Sequence, residues 1–179
     1  LVAARTAREA DALVDLVGSI FEIRKLGEPE DFLGIEIQRD RGAGTINLTQ
    51  RAKAEALATA HGVQGACRAV PMSPECFSGL RAARPGEAMA DKVGYQRAIG
   101  SLLHLAQCTR PDIALPVGAF AAYASAPSKA HYEAMLDVVR YVGSTGERGL
   151  TYGGSDKSLG FWCDANFAAC QDTRRSTTG

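Results

Sequence analysis

Apolar residues in the first fifty positions change their spacing part-way. Thr6-Ala7-Arg8-Glu9 has capping-box form, a hydroxyl at the cap and a carboxylate three residues on. Ala10, Leu13, Val14 and Val17 follow at i, i+3, i+4 and i+7. That spacing predicts an amphipathic helix over about residues 7–17, ended by Gly18. The period then drops to two. Leu33, Ile35 and Ile37 share one face, Asp40-Arg41-Gly42-Ala43-Gly44 reads as a turn, and Ile46 and Leu48 are again in phase. Residues 32–49 are therefore expected to form a β-hairpin.

Helical spacing returns after the hairpin. Thr49 is the expected cap of a helix over about 51–61, with Gly62 as its stop. Residues 63–89 hold three of the seven prolines and read as a loop or linker. Further helices are expected at about 91–107, from Pro111 to about 124, and at about 128–142. In the last of these, His131, Met135, Val138 and Val142 line one stripe. Gly149 to Tyr152 and Leu159 to Cys163 read as two short strands joined by Gly153-Gly154-Ser155-Asp156. Strands and helices are segregated along the chain, so the expected class is α+β.

Charge is balanced, with 20 basic and 20 acidic residues, and gives no bulk signal for a nucleic-acid partner. The distribution is uneven: residues 51–100 carry seven basic and four acidic groups, enough to face a phosphate backbone or simply to be solvated. No apolar run is long enough for a membrane span. Five cysteines, an odd number without a Cys-x-x-Cys pair, suit free thiols in a reducing compartment. The three histidines are read as lying apart from the cysteines, so no zinc site is expected.

Few residues stand out as chemical groups. Asp11 and Asp15 share a helix face and read as solvated like charges. Glu36 points away from the apolar face of its strand, and Gly34 in a strand interior suggests a bulge or a close backbone approach. Asp164 follows the strand Leu159-Gly160-Phe161-Trp162-Cys163 and reads as a metal ligand, a turn residue or a helix cap. One Asp does not hold Mg²⁺ by itself, because hard cations need several oxygen ligands.

The order of short motifs resembles the reverse transcriptase region of copia-type long-terminal-repeat retrotransposons. The matching pieces run from Phe32-Leu33-Gly34-Ile35-Glu36-Ile37 through Leu48-Thr49-Gln50, Val70-Pro71-Met72 and Tyr95-Gln96-Arg97-Ala98-Ile99-Gly100-Ser101-Leu102-Leu103-His104. Thr109-Arg110-Pro111-Asp112, His131-Tyr132-Glu133-Ala134, Arg140-Tyr141, Gly149-Leu150-Thr151-Tyr152 and Cys163-Asp164-Ala165-Asn166 continue the series, and Arg174-Arg175-Ser176-Thr177-Thr178-Gly179 closes it.

The resemblance implies a layout. Residues 1–50 would be the end of a polymerase palm with a primer-grip hairpin, and 51–89 a thumb-like helix and linker. Residues 90–147 would be a helical connection, and 148–179 the first strands of an RNase H-like domain. Phe32, Leu33, Gly34, Ile35 and Glu36 of the grip, with Arg51 and Lys53 of the thumb, would contact an RNA/DNA primer–template duplex. Asp164 would be the first RNase H carboxylate and an Mg²⁺ ligand, with Mg²⁺ needed by the parent enzyme and none expected on this chain alone. The family's Tyr-x-Asp-Asp strand and three further acids are not in this sequence, so neither polymerase nor RNase H activity is expected from it alone. Where the family has Asp-Ala-Asp-Trp-Ala-Gly, this chain has Asp164-Ala165-Asn166-Phe167-Ala168-Ala169. The implied partners are the duplex and the rest of a Pol polyprotein, without a membrane, in the cytoplasm and particle-associated. The alternatives are a non-catalytic nucleic-acid-binding module and a relic reading frame.

Overall fold

The structure is a computed structural model that describes residue 2, residues 4–154, residue 170, residues 172–174 and residue 176. Helix α1 spans Ala7–Gly18, and Thr6 Oγ1 accepts the Glu9 amide as the capping box requires. Strands β1 (Asp31–Phe32), β2 (Ile35–Asp40) and β3 (Thr45–Thr49) follow. Then come α2 (Arg51–Ala60), α3 (Pro74–Gly79) and α4 (Lys92–Cys108). A 3₁₀ turn at Pro111–Ile113 leads into α5 (Ala114–Ala121), α6 (Lys129–Ser144) and β4 (Leu150–Gly153). The mixture of helices with one antiparallel sheet is compatible with the expected α+β class.

Strand order is β1-β2-β3-β4, each pair antiparallel. Leu48 faces Ile37 on one side and Leu150 on the other, and Ile46 lies between Arg39 and Tyr152. Since side chains alternate across a strand, these residues share one face. β4 pairs with β3, and its expected partner, 159–163, lies outside the described residues. One expectation changes here: Leu33 and Gly34 are not in a strand. Phe32 pairs with Ile35, so the two residues between them form a tight turn with φ of 56° and 75°. Both central residues at positive φ is the type I′ pattern that suits the twist of a two-residue hairpin.

The core belongs to the helices. Leu57 of α2, Tyr95, Leu102 and Leu105 of α4, Phe120 of α5, and Met135, Val138 and Val142 of α6 are buried together. α2 packs against α6, and α4 against α5. The α2–α6 crossing is close: a Cβ built on Gly143 would sit 2.8 Å from the Ala58 Cβ. The stripe read on α6 is the buried one. His131 completes its cap, taking the Ser128 amide at Nδ1 while Ser128 Oγ takes the His131 amide. In the expected linker, Ser73 caps the short helix α3 and Pro74 begins it, with Met72, Cys76 and Leu80 packing on the core.

The N-terminal part is different. No residue of α1 is buried, and Leu13, Leu16, Val17, Ile20 and Phe21 are all exposed. No helix among the described residues is long and apolar enough to cross a membrane.

Candidate nucleic-acid interface

The turn between β1 and β2, beside the open end of the β2–β3 hairpin, is set by local backbone chemistry. Gly34 stands at φ 75°, where a side chain is strained and glycine is not. Its role is therefore that of a turn residue rather than a strand-interior glycine. Leu33 adopts φ 56° without that freedom, at a cost of roughly 1–2 kcal/mol, and is 75 % exposed. A strained leucine presented to solvent gains nothing from the fold that holds it. Phe32, beside it, is 40 % exposed.

Behind this turn, the hairpin is joined to α2 by Glu36. Its Oε1 accepts the Ala52 amide at 3.1 Å, and its Oε2 accepts the Thr49 hydroxyl at 3.3 Å. Thr49 is not the helix cap. Gln50 holds that position without a side-chain cap bond, and the missing acceptor comes from Glu36 across the sheet. A helix N-terminus leaves amides unpaired and favours a negative charge, and Glu36 supplies both needs.

The two expected cations of α2 differ. Arg51 donates to Glu147 Oε1 at 2.9 Å and lies 3.6 Å from Glu55, so its charge is already matched. The hydrogen bond and charge of Glu147 hold its guanidinium pKa above the ordinary arginine value. Lys53 reaches α4, with its Nζ 2.8 Å from His104 Nδ1. Gln50 Nε2 lies 2.9 Å from the same nitrogen, and Gln50 Oε1 accepts the buried Thr109 hydroxyl at 2.9 Å. Lys53 can only donate, so Nδ1 accepts in that contact, and the other ring nitrogen is Nε2. That nitrogen lies 3.9 Å from Cys108 Sγ, one helical turn along. The reading that no histidine lies near a cysteine is thus corrected for His104, whose i,i+4 spacing to Cys108 is visible in the sequence. Among the described residues, no group of three His, Cys, Asp or Glu side chains could hold a metal ion.

One strip of α4 continues from this cluster. His104, Gly100 and Arg97 lie on one helix face at i, i−4 and i−7. Gly100 is open: a Cβ there would meet nothing within 4 Å. Arg97 is exposed and has no partner among the described residues. The strip thus starts at the base of the hairpin, where Gln50 ends it, and runs about 10 Å from His104 to Arg97 at 1.5 Å per residue. Sequence reading passed over it, because Arg97 and Gly100 sit in a run that reads as core.

A second polar joint lies beside this cluster, just past the C-terminal ends of α4 and α6. Arg110, almost wholly buried, donates to both oxygens of Asp112 at 2.9 and 2.8 Å and to the Thr145 carbonyl at 2.9 Å. Tyr141 donates to Asp112 and accepts from Arg148, each at 2.8 Å. Burial pushes the Asp112 carboxyl up, but the hydrogen bonds from Arg110 and Tyr141 and the Arg110 charge outweigh it and hold the pKa below the usual range. Thr109-Arg110-Pro111-Asp112 and Arg140-Tyr141 are therefore architectural in large part. Asp164 lies outside the described residues.

No family model matches the chain, and no solved structure matches it. The retrovirus-related Pol polyprotein from transposon TNT 1-94 of Nicotiana tabacum is 33 % identical over 167 residues, 89 % of this chain and 12 % of its own length. The putative transposon Ty5-1 protein of Saccharomyces cerevisiae is 30 % identical over 182 residues, 100 % of this chain and 58 % of its own length. The chain is similar over most of its length to retrotransposon Pol polyproteins and transposon proteins. An uncharacterized mitochondrial protein of Arabidopsis thaliana is 30 % identical over 168 residues and is covered over 68 % of its length. The chain thus spans 12 % of the tobacco polyprotein and 58 % of the yeast protein. Their matches run along most of the chain, over both the strands and the helices.

Proposed function

We propose that this chain is the nucleic-acid-holding part of an RNA-directed DNA polymerase with RNase H, gripping a primer–template duplex in the cytoplasm beside the rest of a Pol polyprotein. The observation that carries the reading is the α4 strip of half-buried His104 with exposed Gly100 and Arg97, joined at the base of the hairpin by Lys53 of α2. At a rise of about 3.4 Å per nucleotide, a 10 Å strip matches three steps of one strand. Lys53 and Arg97 contact phosphates, and Gly100 lets a sugar–phosphate backbone approach the helix. Such contacts position a duplex without reading its sequence. Phe32, Leu33, Gly34 and Ile35 bring the exposed β1–β2 turn to the strand end, with Glu36 supporting them from behind. Arg51, matched by Glu147, contributes little.

The chain by itself holds a duplex without extending it. Asp164 would ligate Mg²⁺ as part of the RNase H site, and the holding role uses none of that chemistry. Photo-cross-linking tests the reading. A diazirine side chain placed at Leu33 or Gly100 should cross-link a labelled RNA/DNA primer–template, and one at Glu133, off the strip, should not. Equal yields at all three positions would sink it.

A further inference from the structure

We infer that Glu36 is a positioning residue that locks the hairpin to the helical unit, so that the two move as one body. The sheet contributes no residue to the buried core, which is built by α2, α4, α5 and α6 with Val63 and Ile113. The buried core therefore does not fix the hairpin's direction; the pairing of β3 with β4, which follows α6, holds one edge of it, and polar contacts at the β3–α2 joint hold the other. The hairpin side supplies one carboxylate, and that carboxylate uses both oxygens at the joint: one on the Ala52 amide of α2, the other on the Thr49 hydroxyl at the end of β3. Thr49 and Gln50, between β3 and α2, are 4 % and 2 % exposed, and Gln50 is bound in turn to Thr109 and His104 of the α4 end. The joint is thus hydrogen-bonded on each side, buried at Thr49 and Gln50 and reached by solvent at the Ala52 amide. A charge-assisted bond to a helix N-terminus is directional, which a short apolar contact is not.

An anion at this helix end has a second consequence. An open N-terminus attracts phosphate. With Glu36 seated there, a nucleic-acid backbone is turned away from the N-terminus of α2 and toward Lys53 and the α4 strip. This last consequence rests on the proposed function; the rigid coupling does not.

Pulsed electron–electron spin distance measurements on the full chain separate the two. Spin-labelled noncanonical residues at Ala43 in the hairpin turn and Glu133 on α6 report the angle between the units. The wild-type chain should give one narrow distance distribution. Glu36→Gln keeps an acceptor for the Ala52 amide and should stay narrow, whereas Glu36→Ala should broaden at least twofold with helix content unchanged by circular dichroism. A narrow distribution in Glu36→Ala, or a broad one in the wild type, would overturn the coupling. If Glu36→Ala fails to fold, Glu36→Ser, which removes the acceptor for the Ala52 amide while keeping a small polar side chain, takes its place with the same two outcomes. Failure of the proposed function would show instead as lost cross-linking with the distances intact.

Discussion

Leu33 bears a cost that its own fold does not repay. At φ 56° and 75 % exposed, it contributes neither packing nor a good backbone conformation. Asn tolerates this region better than leucine. Leu33→Asn should therefore stabilise the chain by about 1 kcal/mol, read as a higher unfolding midpoint in urea. An unchanged or lower midpoint would mean that Leu33 is held by contacts of its own. Alternation made Leu33 look like a strand residue in phase with Ile35, and nothing in a one-dimensional pattern distinguishes that from a two-residue turn at the same spot. Asp112 gives a pH prediction. Its folded pKa lies below the unfolded value, so its stabilisation is complete above about pH 4 and is lost as pH falls through the folded pKa. Asp112→Asn should be less stable at pH 7, and its stability should change less than the wild type's between pH 4 and pH 2. Equal acid sensitivity in the two proteins would show that other carboxyls control that limb.

Elements with a local cause were readable. Thr6 and Glu9 announce α1, Ser128 and His131 stand at the cap of α6, and Gly62 at φ 65° follows α2. The buried stripe of α6 follows from its 3.6-residue spacing. What needed the third dimension were contacts between distant segments. Glu36 caps a helix sixteen residues away, Lys53 meets His104 across 51 residues, and β4 joins β3 across about a hundred. No single-sequence periodicity carries such pairings. The α2–α6 crossing gives the prediction at this scale. Gly143→Ala gains up to about 1 kcal/mol of helix propensity. Its new methyl would lie 2.8 Å from that of Ala58, and overpacking typically costs 1–3 kcal/mol. The second effect should win, giving a net loss of about 1 kcal/mol in a urea titration, and a net gain would show that the crossing yields.

At the scale of the whole molecule, two parts follow different rules. The helices bury a continuous core that runs from Ala54 to Val142, across the border expected between a thumb-like part and a connection. The N-terminal helix buries none of its apolar stripe, with Leu13 and Val17 exposed and Ala10 and Val14 half-buried, and the sheet keeps a half-buried apolar face. Composition did not betray this, because an amphipathic pattern specifies a face to be covered and not what covers it. Nor did net charge point to a nucleic-acid partner, since the balance of 20 and 20 conceals which cations are already matched within the fold. Arg51 is matched, while Arg97 is open. The measurement that tests the account most directly is the salt dependence of binding to a fluorescent RNA/DNA primer–template, followed by anisotropy. The chain should bind at about 50 mM salt and weaken steeply as salt rises. Lys53→Ala and Arg97→Ala should each reduce the log–log slope by about one, and Arg51→Ala should leave it nearly unchanged. No binding at low salt, or a slope that none of the three substitutions alters, would contradict it.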